Sequence, residues 1–165
     1  MRKMKKAKEQ EPEAGPKPGT SLHPMSSKVR IERNGLSSTL YTPAWLDEIR
    51  FPRCLVDTGS EVNLISKRDV VKYGMQYKMG GIEAIRGFNG KTSPVDGLLR
   101  CKIRLGPVGE GKDAEFLVTS AVSIPIIGMP TLSDLEVMVD CRERLLQDNC
   151  GNVVKCSAAS LMPKN

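Results

Sequence analysis

The sequence predicts a mostly-β single domain with one short helix. Two observations carry that reading. From Lys28 onward, short apolar runs recur between Gly, Pro, Asn and Asp turn signals, and Leu98 to Leu105 alternates with period two over most of its length. Helix-start chemistry stands out at one place, where Pro130 opens the segment running to Leu135. A chain of 165 residues fits one domain of ordinary size plus a tail. Aromatic residues are only 4% of it, so aliphatic side chains must supply the packing.

The elements follow in order. Residues 1–26 are rich in charge, Pro and Gly without apolar periodicity, and are expected to form a disordered leader. Val29 and Ile31 alternate with Arg30 and Glu32 ahead of Asn34-Gly35, a hairpin signal because both residues tolerate positive φ. A strand is expected from Ser38 to Leu46, a turn at Asp47-Glu48, and a strand from Ile49 to Val56. Pro52 cannot donate to a ladder, so the first half of that strand should be an edge. Val62 to Ser66 reads as a short strand, and Ser66 can cap a brief helical turn over Lys67 to Lys72 that stops at Gly74.

Ile82 to Arg86 and Thr92 to Val95 flank a turn-rich tip, Gly87-Phe88-Asn89-Gly90-Lys91. Strands are expected at Leu98 to Leu105 and Ala114 to Thr119, with a loop from Gly106 to Lys112 between them. Ile126-Ile127-Gly128 reads as buried packing, with Gly where space is short. The helix follows, and then strands at Leu135 to Val139 and Leu145-Leu146. A further turn at Asp148 to Asn152 precedes Val153-Val154. The domain is placed at 27–147, with 148–165 as a C-terminal extension.

Composition removes several classes of chemistry. The single histidine, His23, lies in the Pro/Gly-rich leader, which argues against a Ser-His-Asp or Cys-His apparatus and against a multi-histidine metal site. Ser120, Ser123 and the nearby lysines do not make a Ser-Lys hydrolase. The cysteines, Cys54, Cys101, Cys141, Cys150 and Cys156, are odd in number and contain no CxxC pair, so zinc is poorly supported. Free thiols in a reducing compartment, the cytoplasm, are the expectation. No run approaches the roughly 20 apolar residues of a membrane span. The net charge is +6. Residues 2–8 hold five basic groups (Arg2, Lys3, Lys5, Lys6, Lys8) that are a candidate for weak nucleic-acid contact. A solvated tail is the alternative.

The chemistry rests on Cys54-Leu55-Val56-Asp57-Thr58-Gly59-Ser60. Asp-[Ser/Thr]-Gly alone turns up by chance in about one chain of this size in fifteen. The context is more specific: an apolar strand before it, a second after it, and Ile126-Ile127-Gly128 with a helix about 70 residues on.

Over roughly residues 38 to 147 this constellation resembles the retropepsins, the single-domain aspartic proteases of retroviruses and long-terminal-repeat retrotransposons. The stretch from Ile127 to Leu146 looks most like gypsy-type retrotransposon proteases. The resemblance implies a closed β-barrel-like fold with a flap hairpin, active as a homodimer. It places Asp57 as the catalytic carboxylate, with Thr58, Gly59 and Ser60 supporting its turn. Thr58 would bond across the dyad axis, Gly59 would direct its N–H at the carboxylate, and Ser60 would reach the outer carboxylate oxygen. Phe88, Asn89 and Gly90 would close over an extended peptide substrate, a retroelement polyprotein. The nucleophile is water, so the resemblance implies no metal and no organic cofactor. The retropepsin-like domain of ubiquitin-shuttle proteins shares fold and motif, but no recognisable ubiquitin-like or ubiquitin-binding segment is present here.

Carboxylate-driven peptide hydrolysis needs two such groups in one site, one ionised and one protonated. This chain has one Asp-Thr-Gly, Asp96-Gly97 lacks the intervening hydroxyl residue, and its length is about half that of a two-lobed pepsin. Two chains must therefore contribute one Asp57 each. One departure concerns Met129. Many retroviral members carry Arg there, tying the helix to an acidic residue after the catalytic turn, and Glu61 has no such partner. A second reading of the same residues is a non-catalytic dimerisation or binding module of retroelement origin.

Overall fold

The computed structural model describes residues 39–87 and 89–157. The leader with its basic residues 2–8, the hairpin expected around Asn34-Gly35, and Phe88 lie outside the described residues. The first hairpin pairs β1 (Leu40–Leu46) with β2 (Ile49–Asp57). Asp47 and Glu48 both take positive φ, 47° and 66°, which is what a two-residue hairpin turn demands. The register shifts between Thr42 and Ala44, so Pro52 and Arg53 face Pro43 across a bulge. Pro52 is accommodated there, in the half of β2 that pairs with β1 alone.

β3 (Asn63–Ser66) runs into α1 (Lys67–Lys72). The expected brief turn is an α-helix as long as the second one. The Ser66 side chain accepts from the Arg68 N–H at 3.2 Å, and Val70 anchors the helix in the core. β4 (Ala84–Arg86) and β5 (Thr92–Pro94) form a separate two-stranded hairpin. β6 (Gly97–Arg104) and β7 (Lys112–Thr119) form a long antiparallel pair. β8 (Ile126–Gly128) leads directly into α2 (Met129–Asp134).

Six strands close into a barrel in the order β1-β2-β8-β3-β7-β6. Alternation along β6 sends Leu99, Cys101 and Ile103 inward, where they meet Phe116 and Val118 of β7, with Leu46, Ile65 and Ile127 completing the core. Cys54 and Cys101 pack as small apolar residues in this core.

A three-stranded sheet follows, β9 (Met138–Asp140), β10 (Leu145–Gln147) and β11 (Val153–Lys155), in the order β11-β10-β9. The strand expected from Leu135 begins three residues later. Backbone bonds from Leu135, Glu136 and Val137 back to Thr131, Ser133 and Leu132 first wind up the helix end, and Glu136 turns the chain at φ 50°. The boundary expected at residue 147 falls between β10 and β11, which pair in register. Beyond it, the Asn152 carboxamide donates to the Val108 carbonyl at 2.8 Å and accepts from the Val108 N–H at 3.0 Å. Ser157 then bridges to Tyr41 at the start of the barrel. No helix among the described residues is long and apolar enough to cross a membrane.

Candidate active site

The site begins with a parallel pair. Leu55, Val56 and Asp57 of β2 lie beside Ile126, Ile127 and Gly128 of β8, so Asp57 emerges opposite Gly128 where both strands end. The chain then folds tightly back on itself. The Ser60 N–H donates to the Asp57 carbonyl at 3.2 Å, and the Gly59 N–H donates to Asp57 Oδ1 at 3.0 Å. An amide hydrogen bond thus sets the carboxylate's orientation. Asp57 is half-buried, whereas Thr58 and Gly59 are exposed. Among the described residues no hydrogen bond engages the Thr58 hydroxyl.

The Ser60 hydroxyl is engaged within the turn itself. Its single hydroxyl proton goes to the Val62 carbonyl at 2.7 Å, not to the Asp57 carboxylate. Ser60 therefore supports the turn by bridging it to the start of β3.

The brace that Met129 cannot supply is built from another residue. Asn63 is 5% exposed at the head of β3. Its Nδ2 donates to the Glu115 carbonyl at 2.9 Å and to Thr131 Oγ1 at 2.6 Å, and its Oδ1 accepts from the Gly128 N–H at 2.7 Å. The Met129 N–H in turn donates to the Ser60 carbonyl at 2.7 Å. Sequence reasoning missed Asn63, although a signal was present. A carboxamide inside the apolar run Val62-Asn63-Leu64-Ile65 must find partners when it is buried.

The flap candidate is the β4–β5 hairpin. Gly87 donates to the Lys91 carbonyl at 2.9 Å, Gly90 turns the tip at φ 76°, and Asn89 Oδ1 accepts from the Lys91 N–H at 3.0 Å. At the hairpin's base the Thr119 hydroxyl donates to the Pro94 carbonyl at 2.8 Å, and Lys67 pairs with Asp96 at 3.3 Å. Gly87, Asn89, Gly90 and Lys91 are exposed, and the base of the hairpin is anchored. A groove of about 980 Å³ lies beside the turn, lined by Glu61, Val62, Ile82, Leu98 and Pro130 among others. Asp57 is not part of that lining. Among the described residues no group of three or more His, Cys, Asp or Glu side chains is placed to hold a metal ion.

No protein-family model matches the chain, and no curated protein matches it by sequence. Solved structures do match. The retroviral protease-like domain of Ddi1 from Leishmania major superposes with a TM-score of 0.56 at 19% identity, covering 76% of this chain and 98% of that domain. The EIAV protease, solved with the inhibitor HBY-793, gives 0.51 at 17% identity over 68% of this chain and 97% of its own. A retropepsin-like aspartic protease from Rickettsia conorii gives 0.49 at 19% identity over 62% and 84%. The fold is therefore retropepsin-like.

Proposed function

We propose that the chain is an aspartic endopeptidase whose active site is completed by a second copy, with one Asp57 from each subunit. The observation that carries this reading is the Asp57 turn. A retropepsin-like barrel presents one half-buried carboxylate at its strand ends, oriented by the Gly59 N–H, beside a Thr58 hydroxyl that no hydrogen bond engages among the described residues. One chain supplies half of a two-carboxylate site.

The chemistry follows from placing two such groups together. Like charges in close contact cannot both ionise, so one carboxyl keeps a proton while the other does not. The ionised group takes a proton from water as the water oxygen attacks the scissile carbonyl carbon. The protonated group gives its proton to the carbonyl oxygen, leaving a neutral tetrahedral diol. Collapse of the diol breaks the C–N bond, the protonated carboxyl giving its proton to the departing amine nitrogen while the ionised one takes a proton from a diol hydroxyl, which restores the singly protonated pair. Thr58 would bind its counterpart across the subunit axis, holding the two turns in register. The β4–β5 hairpin, with Phe88, Asn89 and Gly90 at its tip, would cover an extended peptide and exclude water. The substrate this reading implies is a retroelement polyprotein, and the setting a reducing compartment such as the cytoplasm.

The test is cleavage of a mixed-peptide library between about pH 4 and 7, comparing wild type with Asp57→Asn across a protein dilution series. Turnover that falls steeply on dilution and is abolished in Asp57→Asn is expected. A folded, dimeric wild type without turnover would overturn the reading in favour of a non-catalytic dimerisation or binding module.

A further inference from the structure

We infer that Asn63 is the positioning residue of the Asp57 turn, the part that aligns the carboxylate for chemistry; this inference rests on the protease reading. In the barrel order, β3 lies between β8 and β7. At Asn63 the backbone ladder to β8 has already ended, its last pair being Leu64 with Ile126. The carboxamide continues that ladder by proxy. It accepts from Gly128 on one side and donates to the Glu115 carbonyl on the other, with Thr131 of α2 sharing its N–H₂.

Gly128 is the register partner of Asp57, and Met129 holds the Ser60 carbonyl. Asn63 thus holds the Gly128 amide directly, and through it the adjoining Met129, whose own N–H bonds the Ser60 carbonyl of the turn. Both ends of its side chain are specified. Glu115 offers a carbonyl and requires a donor, while Gly128 offers an N–H and requires an acceptor. An isosteric carboxylate at this position would satisfy Gly128 and confront the Glu115 carbonyl with like charge.

The test has two arms, so that failure of the protease reading and failure of this inference are separable. In the first, kcat and KM of wild type, Asn63→Ala and Thr131→Val are measured at protein concentrations that saturate the dimer. Asn63→Ala is expected to lower kcat about 30-fold with KM within about twofold, because misplacement at the reacting centre affects the transition state more than binding. Thr131→Val leaves Nδ2 its bond to Glu115 and should lose about threefold in kcat. Thr131→Ser keeps the hydroxyl and should restore wild-type kcat. A kcat per dimer within about twofold of wild type in both Asn63→Ala and Thr131→Val would overturn the inference.

In the second arm, amide hydrogen exchange is compared residue by residue, a readout that needs no turnover. The amides of Gly128, Met129, Gly59 and Ser60 should exchange at least about tenfold faster in Asn63→Ala, and in the same direction in Thr131→Val, while Leu99 and Phe116 keep their protection. Acceleration shared equally by all amides would mark a merely structural residue and overturn the inference. A wild type without turnover would overturn the protease reading, and the exchange arm would then decide the role of Asn63 alone.

Discussion

Gly128→Ala is the substitution whose effect the structure defines most closely. Gly128 has φ −89° and ψ 174°, an extended backbone open to any residue, so conformational freedom is not what requires glycine here. Space is. A Cβ at this position would run into the Val62 carbonyl oxygen and lie 2.8 Å from the Ser60 carbonyl oxygen. Both obstacles are backbone and cannot swing aside like a side-chain tip. Each is also already engaged, Val62 O by the Ser60 hydroxyl and Ser60 O by the Met129 N–H, both at 2.7 Å. Overpacking of this kind costs about 1–3 kcal/mol, and weakening two hydrogen bonds adds roughly 0.5–1.5 kcal/mol for each. A total near 3 kcal/mol corresponds to a fall in Tm of about 12 °C for a domain of this size. The assay is thermal unfolding followed by circular dichroism at one fixed protein concentration, since association shifts Tm. A fall of less than about 2 °C would refute the reasoning, because it would mean that the end of β8 does not sit against the Asp57 turn as described.

Other consequences are open to direct measurement. Burial pushes the Cys54 and Cys101 thiols up to about 12, aided by Asp69 and Asp47 respectively, so both stay protonated at neutral pH. A thiol reagent on native protein at pH near 8 should therefore label the exposed Cys141 and Cys150 first and reach Cys54, Cys101 and Cys156 only after denaturation, as mapped by mass spectrometry. Hydrogen bonding from Arg104, and then its charge, hold the Glu48 carboxyl below its ordinary range. A depressed carboxylate stabilises the fold above its unfolded pKa and loses that effect as pH falls through the folded one. Wild type should accordingly melt above Glu48→Gln at neutral pH, with the two curves merging as the pH falls through the lowered Glu48 pKa, below the ordinary glutamate range. Asn152→Ala would strip both partners from the Val108 backbone and should cost about 1–3 kcal/mol by urea unfolding. An unchanged midpoint would show that the chain beyond residue 147 is not a working part of the domain.

Much of this architecture was legible in the sequence, for identifiable physical reasons. The period of two in Leu98 to Leu105 survives folding because one face of β6 is buried and the other is wet. Asp47-Glu48 and Ser66 announced themselves through local turn and cap chemistry, which needs no tertiary information. Asp57-Thr58-Gly59 was readable because it is a short local motif that forms a tight turn directly after an apolar strand. The helix start at Pro130 was equally local, whereas the helix end was not. Leu135 to Val137 look like strand by composition, yet they are wound into the helix terminus by bonds that only the packed structure selects.

The remainder is long-range. Nothing local to Ile126-Ile127-Gly128 says that it pairs in parallel with residues 55–57. The need for Gly128 was visible as a shortage of space, but the carbonyls that cause it belong to Ser60 and Val62. The sequence offered Met129 as a missing brace, and the carboxamide of Asn63 in its apolar run marked a residue needing partners without naming them. Its partners Glu115, Gly128 and Thr131 lie 52, 65 and 68 residues away. The acceptor of the Ser60 hydroxyl was unreadable for a related reason. A short hydroxyl near a carboxylate has many acceptors within reach, and the Val62 carbonyl, presented by the adjoining turn, is the one it takes.

The central claim is that two copies of Asp57 share one site, and a mixing experiment addresses it directly. Wild type and Asp57→Asn are combined at constant total protein, allowed to exchange subunits, and assayed on one peptide substrate. If a working site needs both carboxylates, activity follows the square of the wild-type fraction, and an equal mixture retains about a quarter of the starting rate. Activity that falls in simple proportion, to about half, would mean that each chain acts alone and would contradict the account.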